Sequence, residues 1–358
     1  MKRVTLNTPS AVSAMVAGII VFGVLAVSAL AADAAQGDAP ASAGAAPGPD
    51  AGSGTERARQ LVERRENDLA MELLLEVLEE DDGNADAHFL LAKVLLRKQE
   101  HDRAKHHAER AVELDGSVSE YHMWLARAYL AKATESGFIN AFRYARKGKK
   151  SYERAVDLDS ANVEARLELC MYLVAAPGLV GGSVEKGRDQ AMIVEKQDSL
   201  YGSYAWARVS ERDGDLEGAE AYLERAVRLD TTSTLYARYA LGYFYERSGR
   251  LDEAGDIFRG IVADRPDEMT AVFQVGKISV MSERDLDEAE DCLKRYLQVE
   301  ARPNAPSHAA AHWRLGMVYD LQARPELALE EMRRAVELAP DNRDFRKSLK
   351  EAEKNLEE

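Results

Sequence analysis

The chain has 358 residues, of which 46% are hydrophobic, 30% are charged and 7% are aromatic, and its formal net charge is −15. This much apolar material excludes a wholly disordered chain, and the charge content excludes a multi-pass membrane protein. The acidic balance disfavours nucleic-acid binding, and two cysteines are too few for a disulfide scaffold or a cysteine-rich metal site.

The first segment is predicted to direct export. Lys2 and Arg3 precede an uncharged stretch over residues 11–30, and Ala-Leu-Ala at 29–31 supplies the small residues that signal peptidase prefers. The prediction is a cleaved signal peptide over residues 1–31. An uncleaved N-terminal membrane anchor is the alternative, because about 20 apolar residues can span a bilayer. The predicted location is the bacterial periplasm, or the inner membrane if the segment is retained as a tether.

Residues 32–54 are predicted to form a disordered linker. They are dominated by Ala, Gly and Pro and contain no Leu, Ile, Val or Phe, so they cannot form a hydrophobic core. From residue 55 onward, the sequence changes to amphipathic helices joined by short polar turns, without a convincing strand.

A repeat with a period of about 34 residues runs through this helical part. Segments such as RAVELD at 110–115 and RAVRLD at 225–230 recur, and aligning the chain on them produces two columns of small residues. The first column is Ala58, Ala92, Ala126, Cys170, Ala207, Gly242, Gly276 and Gly316. The second column is Ala70, Ala104, Gly148, Gly187, Ala219, Ala254, Ala289 and Ala328. Helices approach closely only where neither carries bulk, so these columns predict where the two helices of a hairpin touch.

The two columns resemble the tetratricopeptide repeat (TPR). In five repeats, a Leu or Tyr follows the first-column residue by three positions, which supports the resemblance. These residues are Leu95, Tyr129, Leu173, Tyr245 and Tyr319. Pro266 and Pro340 lie where the family ends its second helix. The resemblance implies an all-α, right-handed TPR α-solenoid of antiparallel helix hairpins over residues 55–342, closed by a C-terminal capping helix over 343–358. The predicted repeats are 51–84 (degenerate), 85–118, 119–162, 163–199, 200–234, 235–268, 269–303 and 309–342.

Two repeats depart from this period. Repeat 119–162 carries about ten extra residues with a basic end. The basic residues are Arg143, Arg146, Lys147, Lys149 and Lys150. They are interpreted as the solvated face of a lengthened helix, or alternatively as a docking surface for an acidic partner or phospholipid headgroups. Repeat 163–199 is interrupted by APGLVGG at 176–182. This is interpreted as a turn with Ser183 as the next helix cap, because the Lys-Ser ending of a phosphate-binding loop is missing.

Catalytic and metal-binding chemistry have little support in the sequence. No nucleophile, base and orienting group form a recognisable set, so the prediction is a non-enzymatic protein without catalytic residues, cofactor or bound metal. The alternative is a metal-binding or enzymatic protein that uses histidines. These histidines are His88, His101, His106, His107 and His122, and the pair His308 and His312. Cys170 and Cys292 are predicted to be buried packing thiols, too far apart for a disulfide.

A concave groove is the predicted functional site. In the TPR family, defined positions of each first helix face this groove. Carrying those positions over gives a surface that is nearly neutral and rich in aromatic residues, as buried peptide contacts require. The predicted groove residues are Phe89, Lys93, Arg97, Arg127, Tyr201, Tyr204, Arg208, Arg212, Tyr236, Tyr239, Tyr243, Arg247, Phe273, Lys277 and Trp313.

The functional hypothesis is a non-enzymatic interaction scaffold of the cell envelope. It would bind a protein or peptide segment in the groove, with aromatic anchors giving affinity and basic groups favouring an acidic partner. Nucleic acid is not a predicted partner. A membrane-tethered structural spacer with an unused groove is a further alternative, in which the aromatic residues serve ordinary packing between neighbouring repeats.

Overall fold

The computed structural model describes residues 53–231, 235–300 and 305–357. The predicted signal segment and nearly all of the predicted linker lie outside the described residues. Within them, the chain forms seventeen α-helices and one short 3-10 turn, without any strand. This confirms the all-α fold. In the same part of the chain, no helix combines the length and the apolar character needed to cross a membrane.

The chain divides into two compact units, Met1–Thr234 and Leu235–Glu358. The helices of the first unit are α1 (Gly54–Glu63), α2 (Asn67–Glu80), α3 (Ala85–Arg97), α4 (His101–Leu114), α5 (Ser119–Glu135), α6 (Phe138–Leu158), α7 (Val163–Ala175), α8 (Val184–Gln197), α9 (Ser199–Asp213) and α10 (Leu216–Leu229). The helices of the second unit are α11 (Tyr236–Arg247), α12 (Leu251–Asp264), α13 (Met269–Ser282), α14 (Leu286–Tyr296), α15 (His308–Leu321), α16 (Pro325–Leu338) and α17 (Arg343–Glu357). In both units, an odd-numbered helix and the next even-numbered one form a hairpin, and α17 packs against α16.

Asparagine caps start two of the first helices and tie them to the preceding hairpin. The Asn84 side chain accepts a hydrogen bond from the Ala87 amide at 2.9 Å and donates one to Thr55 at 3.0 Å. Asn162 caps α7 in the same way, and its side chain donates a hydrogen bond to Ser119 of the preceding hairpin at 3.0 Å. A cap satisfies an amide that the helix leaves unpaired. Here the same side chain also fixes the spacing between consecutive first helices.

The two columns of small residues lie where the helices of each hairpin meet. All sixteen are buried. A Cβ atom placed on Gly276 would lie 2.7 Å from Leu293 Cγ and 3.4 Å from the carbonyl oxygen of Ala289. Gly276 belongs to the first column and Ala289 to the second, so the structure confirms that the columns mark the contact between paired helices. Larger residues would hold the helices apart.

The two departures from the repeat period also have structural counterparts. Helix α6 has 21 residues, whereas α4 and α8 have 14 each, which confirms a lengthened helix. The interruption at 176–182 contains a 3-10 turn, Gly178–Val180. After it, the Ser183 side chain accepts a hydrogen bond from the Lys186 amide at 3.3 Å. The prediction that Ser183 caps α8 is therefore confirmed.

Both cysteines are unpaired thiols. Cys170 is buried, as predicted, and donates to the carbonyl oxygen of Gly187 at 3.2 Å, whereas Cys292 is partly exposed. Burial raises the pKa of the Cys170 thiol to about 12 and that of the Cys292 thiol to about 11.

Because the thiolate is the reactive form, we expect both cysteines to react slowly with Ellman's reagent near neutral pH. The native rate for Cys170 should be at least about a hundredfold below that of the denatured chain, in which a thiol has a pKa of about 8.5. The absorbance of the released thiolate, followed with and without guanidinium, measures both rates. Equal native and denatured rates would show that the thiols are accessible and ionised in the folded protein.

Candidate functional site

The predicted groove of the first unit begins with a pair of aromatic residues. Phe89 of α3 packs against Tyr121 of α5 with 4.9 Å between ring centroids. The Tyr121 hydroxyl donates to Asp86 at 2.5 Å, and Arg59 of α1 pairs with the same carboxylate at 3.1 Å. Burial and the acceptor Asp86 raise the pKa of Tyr121 well above its usual range. Three consecutive first helices are thus linked through one carboxylate.

Trp124 lies between two predicted groove cations. The Lys93 ammonium is 4.9 Å from the Trp124 ring centroid, and the Arg127 guanidinium is 4.2 Å from it. Lys93 also approaches the Phe89 ring at 5.0 Å and pairs with Glu120 at 3.4 Å. Burial lowers the pKa of Lys93. The indole Nε1 of Trp124 is buried and has no hydrogen-bond partner among the described residues.

Arg127 forms a buried ion pair with the next hairpin. It donates to Glu164 at 2.6 Å and, through Nε, to Glu168 at 2.9 Å. The side chains of Arg127 and Glu168 are only 8% and 2% exposed. Burial opposes the charge of Arg127, but the carboxylates of Glu168 and Glu164 outweigh it and raise its pKa. The pair therefore serves first to join α5 to α7.

The remaining predicted residues of the first unit differ in exposure. Arg97 is partly buried and donates to the carbonyl oxygen of Val62 at 2.8 Å. Tyr204 is buried and Tyr201 is partly buried, while Arg208 pairs with Glu211 at 2.9 Å. Arg212 is exposed and forms no ion pair with any described residue. Burial, followed by the charge of Glu164, raises the pKa of Tyr201.

In the second unit, the predicted tyrosines form a packed cluster. The rings of Tyr239 and Tyr243 stack at 5.9 Å, and both contact Phe258 of α12, at 6.0 Å and 5.6 Å. The Tyr239 hydroxyl donates to Glu268 at 3.0 Å. Tyr236 and Tyr239 are buried and Tyr243 is partly buried, whereas Arg247 is exposed. Most of this aromatic surface is therefore used in packing within and between hairpins.

The last three predicted residues also contact neighbouring helices. Phe273 is buried against Tyr296 at 5.2 Å between centroids. Lys277 pairs with Glu246 of α11 at 2.6 Å. Trp313 packs against Phe345 of α17 at 5.2 Å and donates from its indole to Ser348 at 3.0 Å.

The structure thus changes the predicted character of the groove. Lys93, Arg127, Arg208 and Lys277 are neutralised by carboxylates, so they are not free to select an acidic partner. The five tyrosines among the predicted groove residues are divided between the two units: Tyr201 and Tyr204 belong to the first, and Tyr236, Tyr239 and Tyr243 to the second. The residues that build the site but were not predicted are Tyr121, Trp124 and Glu168. Trp124 and Glu168 were missed because both occupy the sixth position of their repeats, which is not among the groove positions of the family. A polar or aromatic residue at this position is the sequence signal that could have identified them.

The histidine groups do not assemble into a metal site. Within the residues that the structure describes, no group of three or more His, Cys, Asp or Glu side chains is arranged to hold a metal ion. His312 forms a hydrogen bond with Glu331 at 2.6 Å, and the Nδ1 atom of His101 lies 2.7 Å from a carboxylate oxygen of Glu135. His88, which is buried, bonds to His107 with 2.9 Å between the two Nδ1 atoms.

The His88–His107 contact predicts acid sensitivity. Burial, followed by the positive potential of His88, His106 and Arg103, lowers the pKa of His107 to about 4, against a weaker opposing effect of Asp82. As the pH falls from about 6.5 towards 4, the unfolded chain protonates this residue before the folded one does, so the free energy of unfolding decreases with falling pH. Because the ring is partly exposed, we expect a loss of only about 1–2 kcal/mol.

Urea unfolding of the parent and of His107→Gln, near neutral pH and near pH 4.5, measures this loss. The variant should lose less stability on acidification than the parent does, since the carboxylates that also titrate are common to both. An identical pH dependence in the two proteins would contradict the assignment to His107.

Two stretches of the chain match models of known protein families. Residues 61–132 match a tetratricopeptide repeat model, and residues 204–339 match the middle TPR-like domain of cilia and flagella-associated protein 70. No curated protein matches the sequence. These matches, the repeated hairpins and the small-residue contacts together define the chain as a tetratricopeptide-repeat protein.

Solved structures show the same fold at low sequence identity. Human IFIT1, as a dimer with m7Gppp-AAAA, has 17% identity and a TM-score of 0.53, over 80% of this chain and 71% of its own. A monomeric IFIT1 mutant with Gppp-AAAA has 14% identity and a TM-score of 0.53, over 82% of this chain and 69% of its own. A thermophilic TPR protein of Thermus thermophilus, TTC0263, has 17% identity and a TM-score of 0.46, over 53% of this chain and 96% of its own. At these identities, the two IFIT1 structures show a likeness of fold alone.

Proposed function

We propose that this chain is a non-enzymatic scaffold of the cell envelope that binds a protein segment along the first-helix surface of its first unit. The TPR fold is consistent with a protein interaction scaffold. The observation that carries the proposal is a row of carboxylates held in place on that surface. Asp86, Glu120 and Glu164 are paired with Arg59, Lys93 and Arg127 across consecutive helices, yet they remain 48%, 47% and 41% exposed.

Such a row is suited to bind donors. The ion pairs fix the carboxylates before binding, so little side-chain entropy is lost when a partner arrives. Each carboxylate retains acceptor capacity beyond its ion pair. The rings of Tyr121 and Trp124 lie beside this row, since Tyr121 bonds to Asp86 and Trp124 contacts Lys93 and Arg127, and Phe89 packs against Tyr121. The partner is therefore a segment that donates hydrogen bonds to this row, with an acidic group directed to Arg212.

Proximity crosslinking in the native organism tests this function. We compare the parent with Glu120→Gln/Glu164→Gln/Arg212→Glu, which changes two of the three carboxylates and Arg212 but retains Asp86 and the three aromatic rings. The variant should recover its partner at least about fivefold less well, because charge-assisted hydrogen bonds contribute about 1.5–3 kcal/mol each.

A matched control carries equivalent changes outside the proposed surface. In Glu79→Gln/Glu185→Gln/Arg228→Glu, the altered side chains are exposed on second helices. The control should recover the same partner as the parent. If both variants recover the partner equally well, the first-helix surface is not the binding site, and the structural-spacer alternative is favoured.

The envelope location rests on the sequence of residues 1–31. Alkaline phosphatase fused after residue 54 should be active in a bacterial host, since this enzyme needs export to form its disulfides. Deleting residues 11–30 should abolish that activity. Equal activity with and without these residues would contradict the export proposal. Mass analysis of the exported fusion distinguishes a cleaved signal from a retained anchor.

A further inference from the structure

The lengthened helix α6 carries a group of cations that the groove does not involve. Arg143, Arg146 and Lys150 are exposed and form no ion pair with any described residue. The guanidinium of Arg143 lies 5.3 Å from the Tyr144 ring centroid, and that of Arg146 lies 5.7 Å from the Phe142 ring centroid. These contacts hold the two arginines against aromatic rings while leaving their charge uncompensated.

A shallow cavity of about 660 Å³ lies between α6 and the 3-10 turn. Its lining includes five cations, Arg143, Arg146, Lys147, Lys149 and Lys150, and one carboxylate, Glu153. The carboxylate is already paired with Lys149 at 2.6 Å. Lys147 lies 3.9 Å from Glu109. The cavity is therefore strongly positive in a chain whose net charge is −15.

Exposed apolar side chains border this basic surface. Ile139 is 81% exposed and Leu179 is 80% exposed, more than any other large hydrophobic residue in the described part of the chain. Ile139 lies one helical turn before Phe142 and Arg143, and therefore on the same face of α6. Leu179 belongs to the turn whose Val180 and Gly181 line the cavity.

We propose that this basic surface of α6, with Ile139 and Leu179 at its borders, docks on the anionic headgroup layer of a phospholipid bilayer. The cations would contact lipid phosphates, and the two apolar side chains would enter the boundary between headgroups and acyl chains. An acidic protein segment would pair with the cations but would leave the two apolar side chains exposed. A bilayer also covers the apolar side chains at the borders, and this second feature favours the lipid surface.

The test measures flotation of the full chain with two kinds of vesicle, phosphatidylcholine alone and phosphatidylcholine with about a third phosphatidylglycerol. The parent should prefer the anionic vesicles, and high salt should weaken this preference. Arg143→Glu/Arg146→Glu/Lys150→Glu should reduce binding to them about a hundredfold, at about one order of magnitude or less per cation. Ile139→Ser/Leu179→Ser should reduce binding while leaving every cation in place.

A matched control reverses the same amount of charge elsewhere. Lys196→Glu/Arg346→Glu/Lys350→Glu alters three exposed cations outside the patch and should bind anionic vesicles about as well as the parent. Every protein retains residues 11–30, so differences between variants report on the patch and not on that apolar stretch. Circular dichroism of each variant checks that its helicity equals that of the parent.

Several results would overturn the proposal. One is equal binding of the parent to neutral and anionic vesicles. Another is equal loss in the patch and control variants, which would indicate a general charge effect. A third is that soluble polyglutamate binds the patch while vesicles do not, in which case the surface would dock an acidic protein. None of these results bears on the first-helix surface, since the patch variants leave its carboxylates unchanged.

Discussion

Replacing Arg127 with methionine is expected to destabilise the protein by about 3–5 kcal/mol. The substitution removes the cation that compensates Glu168, whose side chain is only 2% exposed, and it breaks the bond to Glu164. Glu168 already has one buried carboxylate oxygen without a hydrogen-bond partner among the described residues. A buried carboxylate that loses its partner costs far more than the pair contributed. Guanidinium unfolding of the full chain, followed by circular dichroism, measures the change.

A double variant separates this cause from lost packing. In Arg127→Met/Glu168→Leu, no buried charge remains, so stability should return to within about 1 kcal/mol of the parent, or exceed it. Arg228→Met is the control, because Arg228 pairs at 3.6 Å with Glu224 at an exposed site, where such a pair contributes less than about 1 kcal/mol. If Arg127→Met alone matches this control, Glu168 is solvated and the buried pair does not join α5 to α7.

The fold could be predicted from the sequence because close helix contact restricts side-chain size. A residue such as Gly276 or Ala289 is required by backbone distance, and that requirement recurs in every hairpin. The contact is local, since the two helices are joined by a short turn. Periodic small residues therefore specify the hairpin directly, whatever the surface residues around them do.

The candidate site was less predictable because it depends on contacts between hairpins. A repeat position gives the direction of a side chain, but not the group that meets it about one repeat later. Tyr239 is directed towards the groove by its repeat position, yet its hydroxyl is bonded to Glu268, which lies 29 residues later at the start of the next hairpin. Arg127 is counted as a groove cation in the same way, although its partner Glu168 lies 41 residues away.

Net charge illustrates the same limit. The sequence predicts a nearly neutral groove and gives no reason to assign each cation to a carboxylate. In the structure, Lys93 and Arg127 form ion pairs with Glu120 and Glu164, and the carboxylates of these pairs are the more exposed partners. A buried ion pair can be suspected from the sequence only where a repeat position carries an unusual residue. Glu168 is such a case, because the sixth position is Leu90 or Ala205 in other repeats.

Substituting Gly182 with alanine is expected to destabilise the first unit by about 3 kcal/mol or more. The turn after α7 folds back on the end of that helix, because the Gly182 amide donates to Pro177 at 3.1 Å and the Ser183 amide donates to Leu173 at 2.8 Å. A Cβ atom on Gly182 would overlap the carbonyl oxygen of Ala176. The clash is with backbone, so no side chain can move to relieve it, and the turn that starts α8 must open.

Gly137→Ala provides the matched control, since Gly137 precedes α6 and a Cβ atom there would meet nothing within 4 Å. Its loss should stay within about 1 kcal/mol, the cost of a less favourable helix cap. Guanidinium unfolding compares the two variants with the parent, and hydrogen exchange locates the change. For Gly182→Ala, amide protection should fall first in α7 and α8, where the turn is anchored. If Gly182→Ala is no less stable than Gly137→Ala, the close backbone approach does not hold α7 and α8 together.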